Sequence, residues 1–211
     1  MCIFRHRISV CSWNINGINH KIFGDKSKYN DFLTLIQKHD ITILTETWSN
    51  FTPQINGFNH FSVNPSKRSV KKTGRSSGGI TILYRHSLKS KIEVVKYSSN
   101  FVWCKIPKIL LGRHKDLFLC GLYIPPVSSS YFDSNLFDIL ERDIDKFSKQ
   151  GNVMFLGDFN ARTGLASDTV SKEGNNLITN DCSALSFESA KNRNNFDKEM
   201  NSHGKRLLEL C

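Results

Sequence analysis

Apolar residues along the chain fall in short runs separated by polar stretches rich in glycine and asparagine. Residues 8–15 form a β-rich run that stops at Asn16-Gly17, a dipeptide that favours a turn. Between residues 29 and 38, Phe32, Leu33, Leu35 and Ile36 follow helical spacing, with Ser27 available as an N-cap, and Ile41–Thr45 then reads as a short buried strand. Residues 50–77 read as surface loop, interrupted by one weak strand over Phe58–Val63. After Gly78-Gly79 come four strand candidates, 80–84, 92–97, 101–106 and 117–124, with connections short enough for an antiparallel meander that ends at Pro125-Pro126.

The second helical period runs from 135 to 149. Leu136, Leu140, Ile144 and Phe147 share one face, Glu141, Arg142, Asp145 and Lys149 lie largely off it, and Gly151 is placed as a C-cap. Residues 153–156 form another buried strand, leading into Gly157-Asp158-Phe159-Asn160. Beyond Arg162 the chain is polar, with 192–195 loop-like and His203 reading as a turn residue, until 204–211 begins an amphipathic helix cut off in mid-course. Runs of strands with two or three helices outside them predict one α+β or layered α/β domain, without internal repeats.

Composition adds compartment and charge. No run approaches the roughly 18 apolar residues of a membrane span, and residues 1–10 lack the apolar core of a signal peptide, so the expectation is an intracellular protein, nuclear or cytoplasmic, not secreted. Cys11, Cys104 and Cys120 sit in apolar, strand-like runs and read as reduced thiols. Lys and Arg outnumber Asp and Glu by 29 to 19, and between residues 65 and 115 thirteen basic residues face the single acid Glu93. Such a field attracts polyanions; its bland counterpart is a solvated basic face. Lys67, Arg68, Lys71, Lys72 and Arg75 are the candidate nucleic-acid contacts.

Four polar signals stand at the ends of expected strands, where a rigid scaffold presents side chains to a cleft. They are Asn14 in Trp13-Asn14-Ile15-Asn16-Gly17, Glu46 in Leu44-Thr45-Glu46-Thr47-Trp48, Tyr123 before Ile124-Pro125-Pro126, and Asp158 with Asn160 in Gly157-Asp158-Phe159-Asn160. Singly, each reads as a turn or rim residue. Taken in this order, they resemble the endonuclease/exonuclease/phosphatase superfamily. The opening Asn motif, Glu46-Thr47-Trp48, Gly-Asp-Phe-Asn-Ala-Arg at 157–162 and Gly-Lys-Arg-Leu-Leu-Glu-Leu-Cys at 204–211 resemble in particular the endonuclease of LINE-type (non-LTR) retrotransposons.

That resemblance implies a DNase I-like four-layer sandwich, two β-sheets packed face to face with helices outside. It implies Glu46 as ligand to Mg²⁺, with Mn²⁺ as a substitute, and Asn14 beside the metal or the scissile phosphate. Asp158 would orient or deprotonate the attacking water, while Asn160 and Tyr123 would donate to the phosphate. Asn16 stands where AP endonucleases commonly have Asp, which leaves a neutral oxygen beside the metal. The implied partners are duplex DNA and a downstream reverse transcriptase, and the implied state is a monomer. The family also completes its site with a later Asp and a Ser-Asp-His segment, and neither follows Asp158 here. The chain is therefore expected to be an incomplete domain lacking its final strands, inactive by itself. Two rivals share the motifs: a phosphoinositide or sphingolipid phosphodiesterase or phosphatase, and a catalytically silent nucleic-acid-binding remnant.

Overall fold

The computed structural model describes residues 7–20, 24–49, 53–64, 78–166 and 196–210. They fall in two compact units, Met1–Phe159 and Asn160–Cys211. In the first, β1 (Val10–Asn14) is followed by the short β2 (Asn19–His20) and β3 (Gly24–Asp25), then α1 (Asn30–Gln37), β4 (Ile41–Thr45), β5 (Phe58–Val63) and β6 (Ile80–Arg85). β7 (Glu93–Tyr97), β8 (Phe101–Ile106), α2 (Lys108–Leu111), β9 (Leu117–Tyr123), α3 (Leu136–Ser148) and β10 (Asn152–Asp158) complete it. The second unit contains α4 (Ser202–Leu210).

The strands form two four-stranded mixed sheets, ordered β1-β4-β6-β5 and β10-β9-β8-β7, with β2 and β3 as a separate ribbon. β1 is parallel to β4 and β10 to β9; the other main pairs are antiparallel. A parallel pair needs a crossover, and α1 and α3 supply one for each sheet. Alternation along the strands then makes the layers. Ile41, Ile43, Ile80 and Ile82 of the first sheet meet Val102, Cys104, Ile106 and Leu119 of the second in one core. The opposite face of the first sheet, with Leu44 and Leu83, packs on Phe32 and Ile36 of α1. Beyond the second sheet, Phe147 of α3 lies 4.7 Å from the Trp103 ring and 4.8 Å from that of Phe118.

This outer layer also holds a buried charge. Asp143 of α3 accepts from Trp103 Nε1 at 3.1 Å and pairs with Lys96, so the buried indole N–H is satisfied. The two sheets approach closely at Gly121, where a Cβ would stand 2.9 Å from Ile43 Cγ2.

Several sequence expectations are corrected. The strands from 80 to 124 are not one meander: β6 is buried on both faces and pairs with β4 and β5, and only β7, β8 and β9 are consecutive antiparallel neighbours. Local spacing cannot register that the turn at 86–92 carries the chain to the other sheet. Ser27 does not cap α1. It lies in a single 3₁₀ turn capped by Asp25, whose Oδ1 accepts from Ser27 N and Oγ, and Tyr29 precedes α1 without a side-chain cap. Gly151 is not a left-handed cap; a Cβ there would lie 2.4 Å from the Asp116 carbonyl, so it serves close packing. His203 is a buried residue inside α4 rather than a turn residue. Cys11, Cys104 and Cys120 are free thiols; Cys2, Cys182 and Cys211 lie outside the described residues. So does most of the loop expected at 50–77, and all of 192–195.

Truncating Phe147 to Ala should cost about 3–5 kcal/mol, since the ring fills the contact of α3 with two aromatic neighbours; urea unfolding reads this out, and a loss under about 1 kcal/mol would contradict the layer assignment. Burial also pushes the Cys104 thiol up to about 12 and raises that of Cys120. At about pH 8 both should resist iodoacetamide in the native protein and react on unfolding, because the thiolate is the nucleophile. Mass spectrometry of the alkylated peptides distinguishes the two states.

Candidate active site

Both parallel pairs terminate in candidate residues. In the first sheet Asn14 ends β1 in register with Thr45, the residue before Glu46; in the second Asp158 ends β10 in register with Tyr123. The sheets bring these two ends together: Asn14 Nδ2 donates to Asp158 Oδ2 at 2.7 Å, across 144 residues of chain. Asn14 Oδ1 in turn accepts from Asn16 N at 3.0 Å, closing an Asx turn at the end of β1. The amide is thereby oriented from both sides, with its NH₂ toward the carboxylate.

The strand-end loops interlock. Gly17 N donates to the Glu46 carbonyl at 2.7 Å, Ile18 N to Thr47 O at 2.9 Å, and Trp48 N to Gly78 O at 3.1 Å. Glu46 is half-buried, and among the described residues no hydrogen bond or ion pair occupies its carboxylate. Tyr123 is buried, its ring 3.1 Å from where a Gly78 Cβ would stand, and Asn100 Nδ2 donates to its carbonyl at 2.9 Å.

The backbone records the same positions. Among the described residues only Asn16, Glu46, Trp48 and Asn160 adopt positive φ without being glycine, at 48°, 52°, 51° and 47°. Every one lies in a strand-end motif of the sequence. Left-handed backbone is tolerable for Asn and costly for Glu and Trp, and it concentrates where loops must aim a side chain. Two glycines make these loops possible. At Gly17, φ is +86° and the Trp48 ring fills the space 2.5 Å from a would-be Cβ. At Gly157, φ is +153° and a Cβ would sit 1.9 Å from the Leu122 carbonyl, so β10 reaches β9 only without a side chain there.

Sequence reasoning missed Lys26. Its ammonium donates to the Ile15 carbonyl at 2.5 Å and approaches that of Asn16 at 3.4 Å, bracing the turn after β1; burial lowers it from the ordinary lysine value. No local pattern marks it. Gly17 and Trp48, by contrast, stand inside the Asn14 and Glu46 motifs, where their bracing roles could have been sought.

Asn160 belongs to the second unit. Its carbonyl accepts from Asn201 Nδ2 at 2.9 Å, and Asn201 Oδ1 accepts from Arg162 N and Gly204 N. Arg162 engages Asp197 bidentately, at 2.6 and 2.8 Å, and also Glu199; its guanidinium holds the Asp197 carboxyl below the usual range. This clamp fixes the segment that begins with Asn160. Lys67, Arg68, Lys71, Lys72 and Arg75 lie outside the described residues.

The donor set suits a hard cation. Glu46, Asn14 and Asn16 offer carboxylate and amide oxygens and no thiolate, which favours Mg²⁺ or Mn²⁺ over softer ions. Among the described residues no group of three or more His, Cys, Asp or Glu gathers to hold a metal. Mg²⁺ keeps most of its waters and accepts one carboxylate, so the residues present fit it.

A protein-family model described as the endonuclease/exonuclease/phosphatase family matches residues 11–192. No curated protein sequence gives a significant match. Among solved structures, a mannosyl-6-phosphatase from Bacteroides thetaiotaomicron is similar at 13% identity, over 74% of this chain and 66% of that one, with a TM-score of 0.50. The catalytic domain of human nocturnin with bound sulfate is similar at 16% identity over 75% and 66%, with a TM-score of 0.49. An AP endonuclease from Archaeoglobus fulgidus is similar at 14% identity over 77% and 62%, with a TM-score of 0.47. The chain thus spans between 62% and 66% of the length of these structures, and identities this low speak to the fold alone.

Replacing Gly157 by Ala should separate β10 from β9 and destabilise the protein by about 3 kcal/mol or more, a cost in the range of strong overpacking. Chemical denaturation measures it; an unchanged midpoint would mean the close approach to Leu122 is not required.

Proposed function

The chain belongs to the endonuclease/exonuclease/phosphatase family, a family of nucleases, phosphodiesterases and phosphatases, and from that premise we propose that it hydrolyses DNA phosphodiester bonds with a divalent metal ion, as a LINE-type retrotransposon endonuclease. The observation that carries this reading is the hydrogen bond of Asn14 to Asp158, which joins the ends of two parallel strand pairs from opposite sheets. A carboxylate held by a neutral amide where strand ends of two sheets meet supports a role in working on a water molecule rather than in stabilising the core.

Glu46 would hold Mg²⁺ or Mn²⁺, with Asn14 and Asn16 beside it. Once bound, the ion neutralises charge on a phosphate oxygen and on the leaving group. Asp158 orients the attacking water and accepts its proton as oxygen adds to phosphorus, and the bond to the departing sugar oxygen breaks in line. Asn14 keeps the Asp158 carboxylate in one orientation. Tyr123 donates to a phosphate oxygen, where a hydrogen bond strengthens as negative charge accumulates, and the family resemblance gives Asn160 the same role. Lys67, Arg68, Lys71, Lys72 and Arg75 hold the duplex backbone, a contribution that sets affinity and salt dependence without sequence choice. No described helix is long and apolar enough to cross a membrane.

In a chain extended through the family's Ser-Asp-His segment, conversion of supercoiled plasmid to open circle should require Mg²⁺ and stop when EDTA exceeds the ion; cleavage unaffected by chelator would overturn the mechanism. Glu46→Ala and Asp158→Ala should each slow nicking by about a hundredfold or more, the usual scale for losing a charge-stabilising or acid-base group. Near-normal rates in both variants would remove the site assignment.

A further inference from the structure

Strand direction sorts the described cations of the basic stretch between residues 65 and 115. β1, β4, β9 and β10 all finish at the end that carries Asn14 and Asp158, and the chain leaves the described residues at Asn64 and re-enters at Gly78 at that same end, since Val63 and Ile80 are in register and Ile80 is opposite Thr45. The antiparallel strands run the other way. β6 reaches Tyr84 opposite Ile41, where β4 begins, and β8 reaches Ile106 opposite Leu117, where β9 begins. The turns that follow them, 86–92 and 107–116, therefore lie at the far end of the sandwich. Their Leu88, Ile92, Leu110 and Leu111 close the same core cluster, and Glu93 stands beside Lys105 in register, so the two turns are neighbours.

These turns and the strand ends beside them carry Lys89, Lys91, Lys105, Lys108, Arg113 and Lys115. The acids there are largely engaged. Asp116 accepts from Lys108 N at 2.8 Å and meets Lys105 Nζ at 3.2 Å, interactions that hold its carboxyl below the usual range. Asp40 is taken by Arg85 at 3.0 Å. Lys89, Lys91, Arg113 and Lys115 make no ion pair among the described residues, and Glu93 is the uncommitted acid beside them. The 107–116 turn is also built. Pro107 opens α2, Gly112 closes it at φ 57°, and Arg113 N donates to Lys108 O at 3.1 Å. Ile109 projects from it, 83% exposed, an apolar side chain among cations.

Six residue steps along β9 separate Leu117 from Tyr123, about 20 Å at the usual strand rise of roughly 3.3 Å. That is more than twice the screening length of about 8 Å at physiological salt, so these cations do little to charge at Asp158 and form a separate positive field that attracts polyanions. We propose that this end of the sandwich is a second nucleic-acid surface, which grips a phosphodiester backbone remote from the strand ends of Asn14 and Asp158. The cations neutralise successive phosphates, and Ile109 offers apolar contact to a sugar or base face.

The test is binding in EDTA, where no hydrolysis intrudes, of a fluorescent duplex DNA of about two helical turns and a fluorescent single-stranded RNA. The probe protein combines Lys89→Glu, Lys91→Glu, Arg113→Glu and Lys115→Glu; the corresponding Gln set guards against misfolding by charge reversal, and thermal unfolding confirms that each folds like the parent. For the duplex, the slope of log affinity against log salt should fall by about three and a half units, close to 0.9 for each of the four phosphates no longer neutralised. An effect confined to one probe assigns the surface to duplex or to single strand. Unchanged slopes for both probes would overturn the proposal, as would weakened binding to phosphatidylserine vesicles with nucleic-acid binding intact. The outcome is independent of hydrolysis: a protein that never cleaves can pass, and an active nuclease can fail.

Discussion

Asn14 and Asp158 can meet only if two parallel strand pairs, one in each sheet, end at the same level. The short hydrogen bond between them is the visible result of that constraint, and it depends on the separation of the sheets. Gly121 brings the second sheet against Ile43, and Gly157 lets β10 close on the Leu122 carbonyl. A side chain at either position would push a strand outward and carry a candidate residue with it. Interiors are packed too densely to absorb such shifts locally.

The strand-end loops store the conformational cost of this arrangement. Left-handed backbone at Asn16, Glu46 and Trp48 is unfavourable by roughly 1–3 kcal/mol per strained residue, less for Asn, and survives only where neighbours determine it. Here the neighbours are each other: Gly17 donates to Glu46, Trp48 covers Gly17 and donates to Gly78, and Lys26 gathers the carbonyls of the first turn. Glu46 is thus aimed by interlocked loops, and its carboxylate has no partner among the described residues. A hard divalent cation is the natural complement of such a group.

Charge is organised by the same topology. The helical layer of α3 buries the Asp143 carboxylate against Trp103 and Lys96, which keeps it structural. Lys89, Lys91, Arg113 and Lys115 stand instead on turns. Because consecutive antiparallel strands reverse direction, residues close in sequence, such as Gly78 and Lys89, are delivered to opposite ends of the sandwich.

By itself the sequence determined the strand and helix positions of β4, β8 and α3, whose apolar periods are strong, and the motifs that stand at the strand ends, because turn chemistry and alternation are local properties. Asn14, Glu46, Tyr123 and Asp158 were legible as candidates from those motifs in order. Which strands pair was not legible. β6 and β7 are separated by a short turn yet join different sheets, since pairing is decided by which faces must be buried on both sides. The amide-to-carboxylate bond across 144 residues, the bracing by Lys26 and the delivery of Lys89, Lys91, Arg113 and Lys115 to the end remote from Asn14 were decided by tertiary structure alone. Each depends on strand direction and sheet separation, and neither quantity is encoded in any short window of the chain.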